Sequence, residues 1–153
     1  MFIGTHVNKV DRKGRISVPH SFRQALGTQA FDGIIVFESF QAKAIQACGY
    51  DFLERISEGL DTLDLFSAAQ DDLATAILAS SYQLAFDGEG RVVLPAELRE
   101  AVGIAERAAF VGKGSMFQIW EPETQRAHMA EARARAKADG RSLPLPRPKG
   151  RDS

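Results

Sequence analysis

Residues 10–27 read VDRKGRISVPHSFRQALG, and 76 positions later residues 86–103 read FDGEGRVVLPAELREAVG. Seven of the eighteen aligned positions are identical: Asp11/Asp87, Gly14/Gly90, Arg15/Arg91, Pro19/Pro95, Arg23/Arg99, Ala25/Ala101 and Gly27/Gly103. The apolar positions correspond as well, pairing Val10/Phe86, Ile16/Val92, Val18/Leu94, Phe22/Leu98 and Leu26/Val102. Shared punctuation on a shared hydrophobic frame marks an internal repeat, and a repeat governs every later statement about the fold.

Each copy has the same physical reading. A short strand ends at Asp-x-x-Gly, where the aspartate can bond the backbone ahead and the glycine can take a positive φ. The next strand, RISVP or RVVLP, places Ile16 and Val18 on one face and Arg15 and Ser17 on the other, with Val92 and Leu94 inward in the second copy. Proline suits the first turn of the helix that follows. Phe22 and Leu26, or Leu98 and Val102, then share a helical face, and Gly27 or Gly103 stops the helix. Apolar runs at 33–39 and 41–47, and again at 108–115 and 116–121, read as hairpin strands. Helices are expected near 50–59 and 122–139, with a further one at 73–80 leading into the second copy.

The expected fold class is mainly β with α (α+β). The first repeat should occupy 1–60, a connecting helical segment 61–81 and the second repeat 82–140. The Pro-rich, basic tail, 141–153, is expected to be disordered. Neither copy has enough strand to protect both its edges. Two copies paired about a pseudo-twofold axis are therefore expected to close one small barrel.

The chain has 153 residues, of which 44% are hydrophobic, which is ordinary for a protein that buries a core. Its net charge of −1 conceals a strong asymmetry. Residues 1–27 carry Lys9, Arg12, Lys13, Arg15 and Arg23 against Asp11 alone, a net of +4. Residues 51–72 carry seven acids against Arg55, a net of −6, and residues 121–153 carry eight bases against five acids, a net of +3. The start has no signal-peptide pattern, and the longest uncharged run, 14 residues at 73–86, is too short and polar to span a bilayer. A cytoplasmic location is expected. The single cysteine, Cys48, cannot form an internal disulfide and reads as a small buried apolar residue.

Catalytic and cofactor signatures are missing. His6, His20 and His128 are widely spaced and form no ligand pattern. Gly88-Glu89-Gly90 and Gly112-Lys113-Gly114 lack the other glycines of a dinucleotide fingerprint and read as turns, while Asp71 and Asp72 read as a solvated helix start. Neither enzyme activity nor a cofactor, metal or small-molecule substrate is expected. The basic turn of the first copy stands out instead. Lys9, Arg12, Lys13 and Arg15 lie within seven residues beside a tight hairpin. Such a ribbon can enter a DNA major groove, with arginine reading guanine and lysines anchoring phosphates. A solvated charged turn is the plain alternative. Arg12 and Lys13, replaced by Gly88 and Glu89, are the cleanest difference between the copies. Arg15 recurs as Arg91, so it is expected to serve the fold too. A cross-axis pair, Asp11–Arg91 or Asp87–Arg15, could join the two halves.

The frames DRKGRISVPHSFR and DGEGRVVLPAELR resemble those of the MraZ family, bacterial transcription regulators of the division and cell-wall gene cluster, related to the AbrB-like swapped-hairpin proteins. The resemblance covers about residues 1–140. It implies two AbrB-like swapped-hairpin repeats in one chain, several chains assembled into a ring, and nucleoid-associated binding to short direct repeats in promoter DNA, usually repressing it. The family's DNA-facing motif, the first DxKGR, matches Asp11, Lys13, Gly14 and Arg15 here, so Lys13 and Arg15 inherit that role. Asp11, Gly14, Asp87, Gly90 and Arg91 fall to turn structure. Two rivals remain open: an AbrB-like module of antitoxin type whose main partner is a protein, and an enzyme of undescribed kind on a small barrel.

Overall fold

The computed structural model describes residues 1–140 and 142–149. The chain divides into two units, Met1–Pro122 and the stretch from Glu123 onward. Residues 123–140, expected within the second repeat, fall in the second unit, while both repeat frames, 10–27 and 86–103, lie in the first. It runs β1 (Thr5–Lys9), β2 (Arg15–Ser17), α1 (His20–Leu26), β3 (Gly33–Glu38), β4 (Ile45–Cys48) and α2 (Tyr50–Leu60). The chain continues with α3 (Ala68–Ala74), a π-helical turn (Thr75–Ala79), β5 (Tyr82–Ala85), β6 (Arg91–Val93), α4 (Ala96–Val102), β7 (Arg107–Gly112) and β8 (Phe117–Trp120). Helix α5 spans Pro122–Ala138.

The repeats are interleaved. Strand β1 pairs with β7 of the other copy, and β5 pairs with β3, giving an antiparallel sheet of order β1-β7-β8-β4-β3-β5. Lys9 faces Arg107 as Ala85 faces Gly33, and His6 faces Phe110 as Tyr82 faces Val36, so one register is the image of the other. Two pairs sit on the pseudo-twofold axis: Ile16 opposite Val92 in the separate β2-β6 ribbon, and Gln46 opposite Gln118 between β4 and β8. The Gln118 side-chain amide donates to Gln46 Oε1 at 3.1 Å across that axis.

The α+β class holds, while no closed barrel is found among the described residues. The ladders form a six-stranded sheet and a separate two-stranded ribbon, with β1 and β5 left as edges. The turns at 11–14 and 87–90 interrupt the ladder between β1 and β2 and between β5 and β6, and prolines 19 and 95 end the ribbon after three residues. Proline has no N–H for a ladder. The basic turn consequently joins two strands that pair with other partners, β1 with β7 and β2 with β6, rather than with each other along a hairpin.

The core follows the repeat frame. Ile16, Val18, Phe22, Leu26, Val92, Leu94, Leu98 and Val102 are all buried in one cluster with Ile34, Ile45, Phe110 and Ile119. Phe22 is at its aromatic centre, with ring centroids of Phe117 at 5.1 Å, His6 at 5.3 Å and Phe2 at 5.4 Å. Arg15 and Ser17 face outward from β2, as alternation requires. Helices α1 and α4 end at Gly27 and Gly103, whose φ of 62° and 73° disfavours any residue with a Cβ.

Three local expectations shift. Pro19 and Pro95 sit one position before the helices rather than inside the first turn, and the Pro19 carbonyl accepts from the amides of Phe22 and Arg23. Strand β4 begins only at Ile45, because Ser39 Oγ accepts from the amides of Gln41 (3.1 Å) and Ala42 (3.2 Å) and folds 39–44 into a turn. The connecting helix starts at Ala68 rather than Leu73, capped by Ser67 Oγ, which accepts from Gln70 N at 3.2 Å. It widens into the π turn, where Ser80 Oγ donates to the Thr75 carbonyl at 2.7 Å.

In the second unit, α5 carries Glu123 in its first turn and Arg135 and Lys137 in its last, matching the helix dipole. Residues 142–149 have no regular secondary structure; the rest of the basic tail lies outside the described residues.

Candidate nucleic-acid interface

Both Asp-x-x-Gly turns are built alike. In the first, Asp11 Oδ1 accepts from the amides of Lys13 (3.0 Å) and Arg15 (2.8 Å), while Oδ2 accepts from Arg15 Nε at 2.6 Å. The Asp11 amide donates to the Arg15 carbonyl at 2.9 Å, and Gly14, at φ 80°, donates to the Asp11 carbonyl at 3.0 Å. In the second, Asp87 Oδ1 accepts from Glu89 N (2.9 Å) and Arg91 N (3.0 Å), Oδ2 accepts from Arg91 Nε (2.8 Å), and Gly90 has φ 74°.

These bonds fix the aspartates as anions. Asp11 lies below its ordinary value of 3.8, chiefly because the Arg15 amide donates to it, and Asp87 is lowered in the same way by the Arg91 amide. Arg91 is raised, above all by its side-chain bond to Asp87. The cross-axis pairs Asp11–Arg91 and Asp87–Arg15 are corrected to pairs within each turn, Arg15–Asp11 and Arg91–Asp87. The reason is reach: two backbone amides already hold each carboxylate over its own turn, next to the arginine four residues on. Asp11 acts on Arg91 only at longer range, as the smallest of its charge partners.

The twins differ in what they present. Arg12 and Lys13 are exposed and make no ion pair among the described residues. Glu89, at the position of Lys13, lies 3.6 Å from Arg91 and offsets its charge. The Nε of Arg15 is given to Asp11, while its two terminal nitrogens have no hydrogen-bond partner among the described residues. Lys9 ends β1, exposed, beside the turn. Two basic residues were not singled out from the sequence. Arg107, exposed, lies opposite Lys9 in the β1-β7 register, where the second repeat has only Ala85 opposite Gly33. Arg99 of α4 sits over Gly14. Its identity with Arg23 in the repeat was the available signal; Arg107 had none, because strand pairing put it there.

The other chemistry-bearing residues lie apart. His6 stands edge-on to Phe22, His20 is exposed at the start of α1, and Asp71 is in the first turn of α3. Cys48 is fully buried, and burial pushes its thiol up to about 12. No group of three or more metal-ligating side chains occurs among the described residues, and no helix among them is long and apolar enough to cross a membrane.

Comparison with known proteins agrees with the repeat. Residues 1–43 and 77–143 match the family model described as "MraZ protein, putative antitoxin-like". The Transcriptional regulator MraZ of Rickettsia akari (strain Hartford) is 42% identical over 132 residues, covering 86% of this chain and 89% of that protein. Its namesake in Rickettsia bellii (strain OSU 85-389) is 43% identical over 125 residues, covering 82% and 83%. With both repeat frames, 10–27 and 86–103, inside the matched residues and likeness of this extent, the chain belongs to the MraZ family, whose curated relatives are named as transcriptional regulators.

Proposed function

We propose that this chain is a sequence-specific DNA-binding transcriptional regulator, a repressor, that recognises short direct repeats in a promoter of its own division and cell-wall gene cluster. Lys9, Arg12, Lys13 and Arg15 of the first turn meet the duplex: lysines and Arg12 on phosphates, Arg15 through its free terminal nitrogens at a base edge. The second turn serves as scaffold. One observation carries this reading: two turns share one aspartate-clasped backbone, and only the first presents exposed cations, Arg12 and Lys13, that make no ion pair among the described residues.

A single turn with so few contacts binds weakly. Several chains in a ring, each an AbrB-like double repeat, present such turns in one sense along direct repeats and raise affinity by effective concentration, roughly 10²-fold. Repression follows from occupying the promoter, in the cytoplasm and on the nucleoid, without chemistry on DNA. The test is a gel shift with duplex from upstream of its own gene beside a scrambled duplex, paired with light scattering for mass. Preference for the upstream duplex by an oligomer supports the reading; equal retention of both duplexes refutes it.

The antitoxin-type reading keeps one observation of its own. Leu65 and Phe66, 75% and 91% exposed, project within the acidic 51–72 stretch. A stable cationic protein partner recovered by pull-down, with no preference for upstream DNA, would favour it.

A further inference from the structure

Arg23 and Arg99 occupy the same place in the two repeats, and each reaches the other repeat's turn. Arg99 Nη2 and Cζ lie 3.2 and 3.5 Å from where a Cβ on Gly14 would stand. Arg23 Nη1, Cζ and Nε lie 2.5, 2.6 and 2.8 Å from the corresponding point on Gly90. Each guanidinium is anchored at home: Arg99 Nε donates to the Leu94 carbonyl and Arg23 Nε to the Val18 carbonyl, both at 3.2 Å. Backbone bonds cross in the same direction, from Leu94 N to the Gly14 carbonyl at 2.9 Å and from Val18 N to the Gly90 carbonyl at 3.2 Å. Both glycines are buried although their turns are exposed. A planar guanidinium can lie flat against a glycine backbone, whereas an ammonium on a flexible stem cannot.

We propose that Arg99 is a positioning residue for the DNA-facing turn, acting from the second repeat through Gly14, while Arg23 holds the second turn in the same way. Lys13 and Arg15 flank Gly14, so a guanidinium that fixes this glycine fixes the spacing of both cations. The DNA consequence rests on the function proposed above; the crossing itself does not. It also gives the second repeat a part in recognition without a contact to DNA, and it accounts for an arginine shared by two turns of opposite charge.

The test uses the full chain and two readouts. Amide hydrogen exchange comes first, because Gly14 N and Arg15 N both donate to Asp11 within the turn. Arg99→Gln should speed exchange at Gly14 and Arg15 about tenfold, the loss of roughly one net hydrogen bond's worth of local stability, and leave Gly90 and Arg91 unchanged. Arg23→Gln should do the reverse. Exchange that rises in the same repeat's turn, in both turns equally or in neither overturns the crossing, whatever the protein binds. The second readout is the ratio of affinities for the upstream and scrambled duplexes. It should fall roughly tenfold in Arg99→Gln and Arg99→Lys and hold in Arg23→Gln. Restoration of the full ratio by Arg99→Lys would reduce Arg99 to a point charge and overturn its positioning role. Should the glutamine variant fail to fold, the lysine variant carries both comparisons. A wild-type chain that does not discriminate the duplexes would sink the DNA reading alone, leaving the exchange result to decide the crossing.

Discussion

Replacing Lys13 by alanine should remove one cation from the DNA-facing turn and leave the turn itself intact. The bond that Lys13 gives to the turn comes from its backbone amide, 3.0 Å from Asp11 Oδ1, and alanine supplies the same donor. Its side chain is exposed and unpaired, so the folded state loses no ion pair. With Lys9, Arg12 and Lys13 on phosphates, the slope of log affinity against log salt should be about −2.7 per engaged turn, and Lys13→Ala should bring it to about −1.8. Between 50 and 200 mM salt, that means an affinity loss of about 40-fold per turn for the wild type and about 12-fold for the variant. Fluorescence anisotropy of labelled upstream duplex, titrated at four or five salt concentrations, reads both slopes directly. Glu89→Ala, at the equivalent position of the second turn, should leave the slope where it was. An unchanged slope in Lys13→Ala, or an equal fall in binding from Arg91→Ala and Arg15→Ala with folding intact in both, would refute the division of labour between the turns.

Three further outcomes follow from the packing and the turns. Asp11 and Asp87 sit below their ordinary carboxylate value when folded, so their contribution to stability is complete above pH 3.8 and is lost as pH falls through the lowered folded values; melting curves of Asp11→Asn should show a weaker acid dependence than wild type. Phe22→Ala empties the centre of the aromatic cluster, and urea unfolding should register a loss of about 3–5 kcal/mol. Cys48, fully buried with its thiol pushed up to about 12, should resist alkylation at pH 8 in the folded protein and react as the chain unfolds in denaturant; rapid labelling without denaturant would contradict the burial.

Much of the local structure was legible in the sequence because its causes are local. The 76-residue shift located both turns, both inward strand faces and the glycine stops of α1 and α4, and four of the five apolar pairs of the frame are buried, with Val10 and Phe86 half-buried against them. Strand and helix boundaries slipped where a side chain intervened, as Ser39 does before β4 and Ser67 before α3. The charge contrast between Lys13 and Glu89 was equally plain, since exposed positions at a turn tip need no partner to be placed.

By itself, then, the sequence determined that there are two copies, that each turns at an aspartate and a glycine, and that one alone is basic. Only the tertiary structure decided which strands meet: β1 with β7 and β5 with β3, across some 100 and 50 residues of chain. That choice brought Arg107 beside Lys9 and Arg99 over Gly14, and it put β1 and β5 at the two ends of the sheet. The physical reason is separation in sequence: a turn or a helix stop is fixed by bonds spanning four residues, whereas strand partners are selected by the joint burial of two distant apolar faces, which no local pattern specifies.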